Sequence, residues 1–150
     1  MKQQHDKKKV NVEFGIHGIQ ILQFSLDNTP EHQTLGSNHP YTFEINSGVL
    51  FDPSLQLIAI DFNVKLFTNK DKNDKVCELT VRMSFNIVNY DEVVKTENEI
   101  VTIPDPVMHH LIAVTLSSAR GILFEKLQGS FLSHIILPIF NVTQFERVNN

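Results

Sequence analysis

The chain of 150 residues contains one cysteine, no tryptophan and no long apolar run, and each of these absences narrows the class of protein. A single cysteine, Cys77, cannot form a disulfide within the chain, so a disulfide framework is excluded. The uncharged stretch at residues 106–119 is interrupted by two histidines and two serines. It falls short of the roughly 18 apolar residues of a membrane-spanning helix, so we expect no membrane insertion.

Basic residues are also scarce. The formal net charge is −4, and in residues 76–150 five lysines and arginines face eight aspartates and glutamates. Neutralising phosphates needs clustered positive charge, and residues 7–9 form the one lysine run, so we expect no nucleic-acid partner. The charged N-terminus lacks the apolar core of a secretory signal, so we expect a cytoplasmic protein.

The motifs of nucleotide and metal chemistry are missing from the sequence. It has no glycine-rich phosphate loop, no dinucleotide fingerprint, no His-Glu-x-x-His and no Cys-x-x-Cys. His109 and His110 are adjacent, and neighbouring helical residues point about 100° apart, so they do not easily share an ion. We therefore expect no cofactor, no metal and no enzymatic activity.

The residues that are abundant favour β-sheet. The chain has 14 isoleucines, 14 valines and 11 phenylalanines against 3 alanines. Branched and aromatic side chains suit a pleated, half-buried surface. A chain of this length can bury roughly 70% of its unfolded surface, which is enough for one domain. We expect a flexible arm at 1–12 and a single domain at 13–150.

Alternating hydrophobicity predicts four strands. The third and fourth, at 57–68 and 77–87, place apolar residues on one face and polar residues on the other, and the polar run 69–75 joins them as a hairpin. A second strand is predicted at 41–51 and a first at 16–26. In the first strand the alternation changes phase near Ile21, which a bulge or burial of both faces would explain.

A long helix is predicted after Asp105, which is expected to cap it, with Pro106 as the first helical residue. Apolar residues then recur every three or four positions, and no charged residue appears for fourteen positions. A helix covering only a sheet should show a polar stripe, so we expect a second chain on its other side, with a tight monomeric core as the alternative. The predicted oligomer interface is Met108, Leu111, Ile112, Thr115, Ala119 and Ile122.

The segment after the helix is more apolar than a loop should be. In residues 130–140, eight of eleven side chains are apolar, with neither strand nor helix periodicity. Such a segment either packs into a core or forms a binding wall, and the residues alone leave both open. Asn141, with Gln144 three residues later, predicts the start of a short C-terminal helix.

Taken in this order, the elements resemble SecB, the bacterial export chaperone family. The likeness spans about residues 15–145 and depends on several small motifs. These are Ser118-Ala119-Arg120 near the helix end, Gly129, Leu137-Pro138, Asn141, Phe145, and Cys77-Glu78 on the fourth strand. The resemblance implies an α+β fold, a four-stranded antiparallel sheet packed against one long helix, with a short C-terminal helix.

The resemblance also implies a function and an assembly. SecB-like proteins are homotetramers, dimers of dimers, whose long helices pack between two sheets, and they bind non-native polypeptides such as unfolded preproteins without nucleotide. Some instead protect the antitoxin of a toxin–antitoxin pair. Carried over here, the client groove would comprise Val49, Phe51, Phe131, Leu132, Ile135, Leu137, Ile139, Phe140 and Phe145.

Docking to SecA, the family's motor partner, is less well supported by the resemblance. Leu22 and Leu26 occupy the positions of the family's acidic residues on the first strand, which leaves Glu78 as the retained SecA contact. A dedicated antitoxin-binding protein is therefore the alternative to a general export chaperone. A small-molecule binder or enzyme, which would need an enclosed pocket, is the third hypothesis.

Overall fold

The computed structural model describes residues 12–144. The predicted N-terminal arm therefore lies outside the described residues, except for Val12. The elements are β1 (Phe14–Leu26), α1 (Pro30–Gln33), β2 (Thr42–Asp52), β3 (Leu57–Phe67), β4 (Lys75–Ile87), α2 (Tyr90–Val93), β5 (Lys95–Glu97), β6 (Ile100–Thr102), α3 (Asp105–Leu127) and a 3₁₀ turn (Val142–Gln144).

The four long strands form one antiparallel sheet in the order β1-β4-β3-β2, so β1 and β2 are its edges. The predicted β3–β4 hairpin is confirmed, with Ile60 opposite Met83 and Val64 opposite Leu79. The dry face, the sheet face that carries these apolar residues, is fully buried on the two central strands. The opposite, wet face carries the polar residues of the alternation, such as Asp61 and Arg82.

The irregularity predicted in the first strand is a β-bulge. The register between β1 and β4 shifts between Ile21 and Gln23, which leaves Leu22 as the extra residue, and it shifts again between Ile16 and Gly18. An extra residue restores the alternation after the phase change. Two bulges therefore keep the apolar residues of β1 on the dry face along the whole strand.

The second strand is more regular than its sequence indicates. Serine and glycine are uncommon in strand interiors, yet Ser47 and Gly48 both keep their ladder partners, Phe62 and Asp61. A Cβ added at Gly48 would meet no atom within 4 Å, so no close approach requires glycine at this position.

The long helix α3 crosses the dry face, as predicted. Asp105 is not its cap, because Pro104 precedes the helix and Asp105 is the first helical residue. Its carboxylate in the first turn still complements the positive end of the helix dipole. By length and composition α3 could cross a membrane, but core helices pass the same test, and this one buries residues such as Leu111 and Ala119 against the sheet.

The core beneath the helix consists of two apolar clusters. One joins Phe62 and Leu79 to the second half of α3 and to the segment after it, and the other joins Ile60 and Phe85 to the first half of α3. The connection between β4 and α3 contributes Tyr90 and Val93 of α2 to the second cluster. It also forms the exposed β5–β6 hairpin, which sequence reasoning missed.

The C-terminal part begins as predicted at Asn141. Its side-chain oxygen accepts hydrogen bonds from the Thr143 amide at 3.1 Å and from the Thr143 hydroxyl at 2.8 Å. The 3₁₀ turn follows directly, and the rest of the predicted short helix lies outside the described residues.

We predict that Leu111→Ala lowers the free energy of unfolding by about 2–5 kcal/mol, because it removes a completely buried side chain from beneath the helix. Urea unfolding at fixed protein concentration measures the change. Val88→Ala, at a side chain that is 70% exposed, is the control and should stay within about 0.5 kcal/mol. Equal effects of the two substitutions would contradict this packing.

Candidate functional site

The segment between α3 and the 3₁₀ turn, residues 128–141, is called the crossover below. Its apolar residues divide into two sets. Leu132, Ile135 and Leu137 are buried in the core, whereas Ile136 is 61% and Ile139 90% exposed. The same segment therefore packs into the core with some of its apolar residues and exposes others, and a binding role for the exposed ones stays a prediction.

Arg120 of α3 holds the exposed part of the crossover in place. Its Nε donates to the Leu137 carbonyl at 2.8 Å, and its second guanidinium nitrogen, Nη2, donates to the Pro138 carbonyl at 3.0 Å. Two consecutive carbonyls that lack a helix or strand partner are satisfied by one rigid guanidinium. The apolar surface around Ile139 is therefore anchored to the main helix.

The remaining crossover residues of the predicted groove meet the second strand. Phe131 and Phe140 are half-buried and pack on the same core cluster as Phe43 and Ile45 of β2. Val49 and Phe51 lie further along the dry face of β2, where Val49 is 37% exposed. Phe145 lies outside the described residues.

We call this surface the crossover groove. It is formed by the crossover and the dry face of β2, and it lies beside the free edge of the sheet. Its accessible apolar residues are Phe131, Ile136, Ile139 and Phe140, whereas Leu132, Ile135 and Leu137 form its floor. Val49 and Phe51, predicted for the same groove, lie further along β2, and Phe51 packs on the other core cluster. The assignment of this surface to client binding stays a prediction.

The helix residues predicted for an oligomer interface lie mostly beneath the helix. Ile122 is half-buried, but the other five are 0–6% exposed within a single chain, because they pack on the chain's own sheet. They are Met108, Leu111, Ile112, Thr115 and Ala119. The open face of α3 is also uncharged up to Phe124 and carries His110, Ala113, Ser117, Gly121 and Phe124; the exposed charges of Glu125 and Lys126 follow in the last turn. Contact with a second copy stays a prediction, and this outer face is the part of the helix that could make it.

The dry face of the first strand is a second apolar surface, which sequence reasoning did not single out. Ile16 and Ile19 are each more than half exposed, and Ile21 is 41% exposed. The alternation of β1 identifies these residues as dry-face residues, but no pattern in the sequence shows that the helix does not reach them.

Glu78, the predicted SecA contact, lies on the wet face and is almost completely buried, at 7% exposure. Its carboxylate accepts a hydrogen bond from Lys75 and another from Asn63 at 2.9 Å. Those two donors, Lys75 foremost, lower the pKa of Glu78 despite its burial. Leu22 is exposed in the bulge and Leu26 is half-buried against the core. Nothing in this arrangement favours SecA docking, which stays a prediction.

Cys77 is buried on the dry face, as expected. Burial, aided by the negative charge of neighbouring Glu78, raises the pKa of the thiol to about 12. The thiolate is the reactive form of cysteine, so Cys77 is a packing residue and is not a nucleophile at neutral pH.

The wet face carries a shallow depression of about 280 Å³, far from an enclosed pocket. Arg82 in its wall is held by Asp61, with two N–O distances of 2.7 Å. The other lining residues are Leu50, Phe51, Asp52, Leu57, Ala59 and Ser84. This site offers no arrangement of a nucleophile and a base, so it gives the small-molecule hypothesis little support.

The architecture described above is the SecB-like fold, so the predicted fold class is confirmed. No family model matches the chain, and no curated protein matches it. Among solved structures, the chain is similar to the Mycobacterium tuberculosis SecB-like chaperone Rv1957, determined in complex with a ChAD peptide from the antitoxin HigA1 (Rv1956). The TM-score is 0.54 at 16% identity, and the match covers 85% of this chain and 90% of that one.

We predict that Arg120→Ala releases the crossover without unfolding the domain, because the Leu137 and Pro138 carbonyls lose their donors. Hydrogen exchange measured by mass spectrometry should become faster in peptides that cover residues 131–140 and stay unchanged in β3 and β4. Lys126→Ala, an exposed cation on the same helix, is the matched control. Unchanged exchange in the crossover would show that Arg120 does not anchor it.

Proposed function

We propose that this chain is a divergent SecB-like chaperone that holds non-native polypeptides in the crossover groove without nucleotide. The observation that supports the proposal is the division of the crossover into a buried floor and an exposed, anchored apolar surface. Ile139 is 90% and Ile136 61% exposed on the same anchored segment, beside the half-buried Phe131 and Phe140, and a contiguous apolar patch of this kind is typical of a contact site.

The groove suits an extended chain of variable sequence. β2 is an edge strand, so its outer backbone groups can pair with an added strand. Phe131 and Phe140 offer large, sequence-tolerant apolar contacts beside it. Each such site binds weakly, and several sites on one oligomer would strengthen binding through avidity.

A chaperone dedicated to one antitoxin-like client is the second candidate function. The similar structure of Rv1957 contains an antitoxin-derived peptide, which supports it. The two candidates differ in measurable ways: a general holdase binds many unfolded chains weakly, whereas a dedicated chaperone binds its own client tightly and protects other chains little. The genes adjacent to this one would supply the first client to test.

We further propose that the working unit is a homotetramer in which the outer faces of α3 pack together. The uncharged outer face supports this arrangement, since a solvent-exposed helix face normally carries charge. The proposal includes a cytoplasmic location and no catalytic activity. SecA is a partner only if it docks without Glu78, whose carboxylate already has two donors.

We predict that Ile139→Asp weakens client binding about tenfold while the protein stays folded, because burying an isoleucine contributes about 1.5–3 kcal/mol and this side chain is free of the core. Suppression of aggregation of a reduced, unfolded client measures the effect. The control is Val88→Asp, which makes the same kind of change at an exposed, branched apolar residue outside the groove. It should leave the activity unchanged. If the wild-type chain shows no suppression at several-fold excess, the holdase proposal fails.

We predict that Gly121→Glu divides the oligomer into smaller species. A Cβ at Gly121 meets no atom within 4 Å, and removing a helical glycine favours the helix by about 1 kcal/mol, so the chain itself should stay folded. The new charge would lie unpaired between packed helices. Light scattering measures the mass, and Gly36→Glu in the β1–β2 loop is the control. A tetramer that survives Gly121→Glu would place the interface elsewhere.

A further inference from the structure

The loop between β1 and β2 contacts Phe131, at the start of the crossover, through the ring of His32. The His32 ring, only 12% exposed, lies between two carboxylates. Its Nε2 faces both Asp74 oxygens, at 3.1 and 3.0 Å, and its Nδ1 lies 3.6 Å from Asp27 Oδ1. Asp27 follows β1, whereas Asp74 belongs to the β3–β4 turn, so the ring joins two separate parts of the chain.

The geometry suits a doubly protonated ring. A neutral imidazole that donates from Nε2 to Asp74 presents a bare lone pair at Nδ1 to the Asp27 carboxylate, whereas an imidazolium presents an N–H to each carboxylate. Burial lowers the pKa of His32, but the hydrogen bond to Asp74 and the charges of Asp74 and Asp27 outweigh it and raise the pKa above 6.5. Phe131 and Thr68, the other groups at this site, add no charge.

The same ring contacts the crossover. His32 stacks on Phe131 with ring centroids 6.3 Å apart and an interplanar angle of 20°. A positive ring attracts an aromatic face more strongly than a neutral one. His39 extends the contact of the loop with the β3–β4 turn, because its Nε2 donates to the Thr68 carbonyl at 2.6 Å. The loop, the turn and the first aromatic residue of the crossover are therefore held together at one histidine.

We propose that His32 is a protonation-controlled clasp, which keeps the β1–β2 loop closed on Phe131 when charged and releases this end of the crossover groove when neutral. The clasp itself stands on the contacts above. Its effect on clients rests on the proposed function.

The sign of the pH effect follows from the raised pKa. A group whose pKa is higher in the closed state stabilises that state fully below its open-state value, near 6.5, and the stabilisation is lost as the pH rises through the higher closed-state pKa. The loop is thus closed in mildly acidic solution and loosens as the pH rises through the raised pKa of His32.

The clasp can be tested without a client. Because the chain has no tryptophan, Phe131→Trp places a single fluorescent reporter against His32. A protonated imidazole stacked on an indole quenches its emission, so emission should rise with pH, with a midpoint above 6.5. His32→Gln in the same background should abolish this transition and Asp74→Asn should lower its midpoint, whereas His134→Gln should preserve it.

A transition that persists in the His32→Gln background, or a midpoint below 6.5, would overturn the proposal. Should the tryptophan variant fail to fold, the ring proton signals of His32 in the wild-type protein, assigned by their loss in His32→Gln, report the same pKa by NMR. A His32 signal that titrates below the ordinary histidine value would be equally decisive against the clasp.

A second experiment measures the affinity of the wild-type protein and of His32→Gln for an unfolded peptide that contains no histidine, at pH 6 and at pH 8. Wild-type affinity should be several-fold higher at pH 8, and the affinity of His32→Gln should be the same at both values. A fluorescence transition with no client binding at either pH contradicts the proposed function and leaves the clasp intact. Client binding without the transition contradicts the clasp alone.

Discussion

The sheet is wider than the helix that covers it, and most other features of the structure follow from this mismatch. The outermost of four strand axes lie about 14 Å apart, and their side chains reach further, whereas one helix is about 10–12 Å across. α3 therefore seals the central strands, where Ile60, Phe62 and Met83 are completely buried. Both edge strands carry dry-face residues that the helix leaves at least partly exposed, among them Ile19 of β1 and Val49 of β2. On the β2 side the crossover supplies further cover, whereas on the β1 side His110 and Lys126 of α3 contact only Phe14 and Phe24, near the strand ends, and Ile16, Ile19 and Ile21 between them stay exposed.

The parts of the fold that could be predicted from the sequence are those in which buried and exposed positions alternate regularly along the chain. Strands β3 and β4 alternate without error because one face is dry throughout, so their extent, pairing and orientation could be predicted from residues such as Ile60 and Leu79. The bulge at Leu22 was also predictable, because a phase change in a strand has few physical causes. In the crossover, buried and exposed residues have the same chemistry, and Leu137 and Ile139 differ only in what surrounds them. No composition or period carries that information.

The same limit applies to the residues predicted for the helix interface. An uncharged helix predicts cover on both sides, and its apolar spacing was taken to identify the face that meets another chain. The spacing identifies the side that packs on the sheet, which the chain covers by itself, as at Leu111 and Ala119. The outer side shows little hydrophobic periodicity, because Ser117, Gly121 and Phe124 differ widely in hydropathy. What they have in common is that none is charged. An interface built from such residues cannot be predicted by hydrophobic spacing, although the lack of lysine and glutamate is itself a signal.

The crossover exposes apolar side chains on a backbone that is held in place, and the proposed client-binding role needs both properties. A loop that displayed Ile139 freely would collapse onto nearby apolar surface. Here three constraints oppose collapse: the floor residues, such as Leu132, are fixed in the core, Arg120 holds the backbone by two carbonyls, and His32 holds Phe131 at the start. The first two constraints do not depend on pH, whereas the third depends on a proton. The surface around Ile139 therefore keeps its position over the whole pH range, and only the end of the groove at Phe131 changes with protonation.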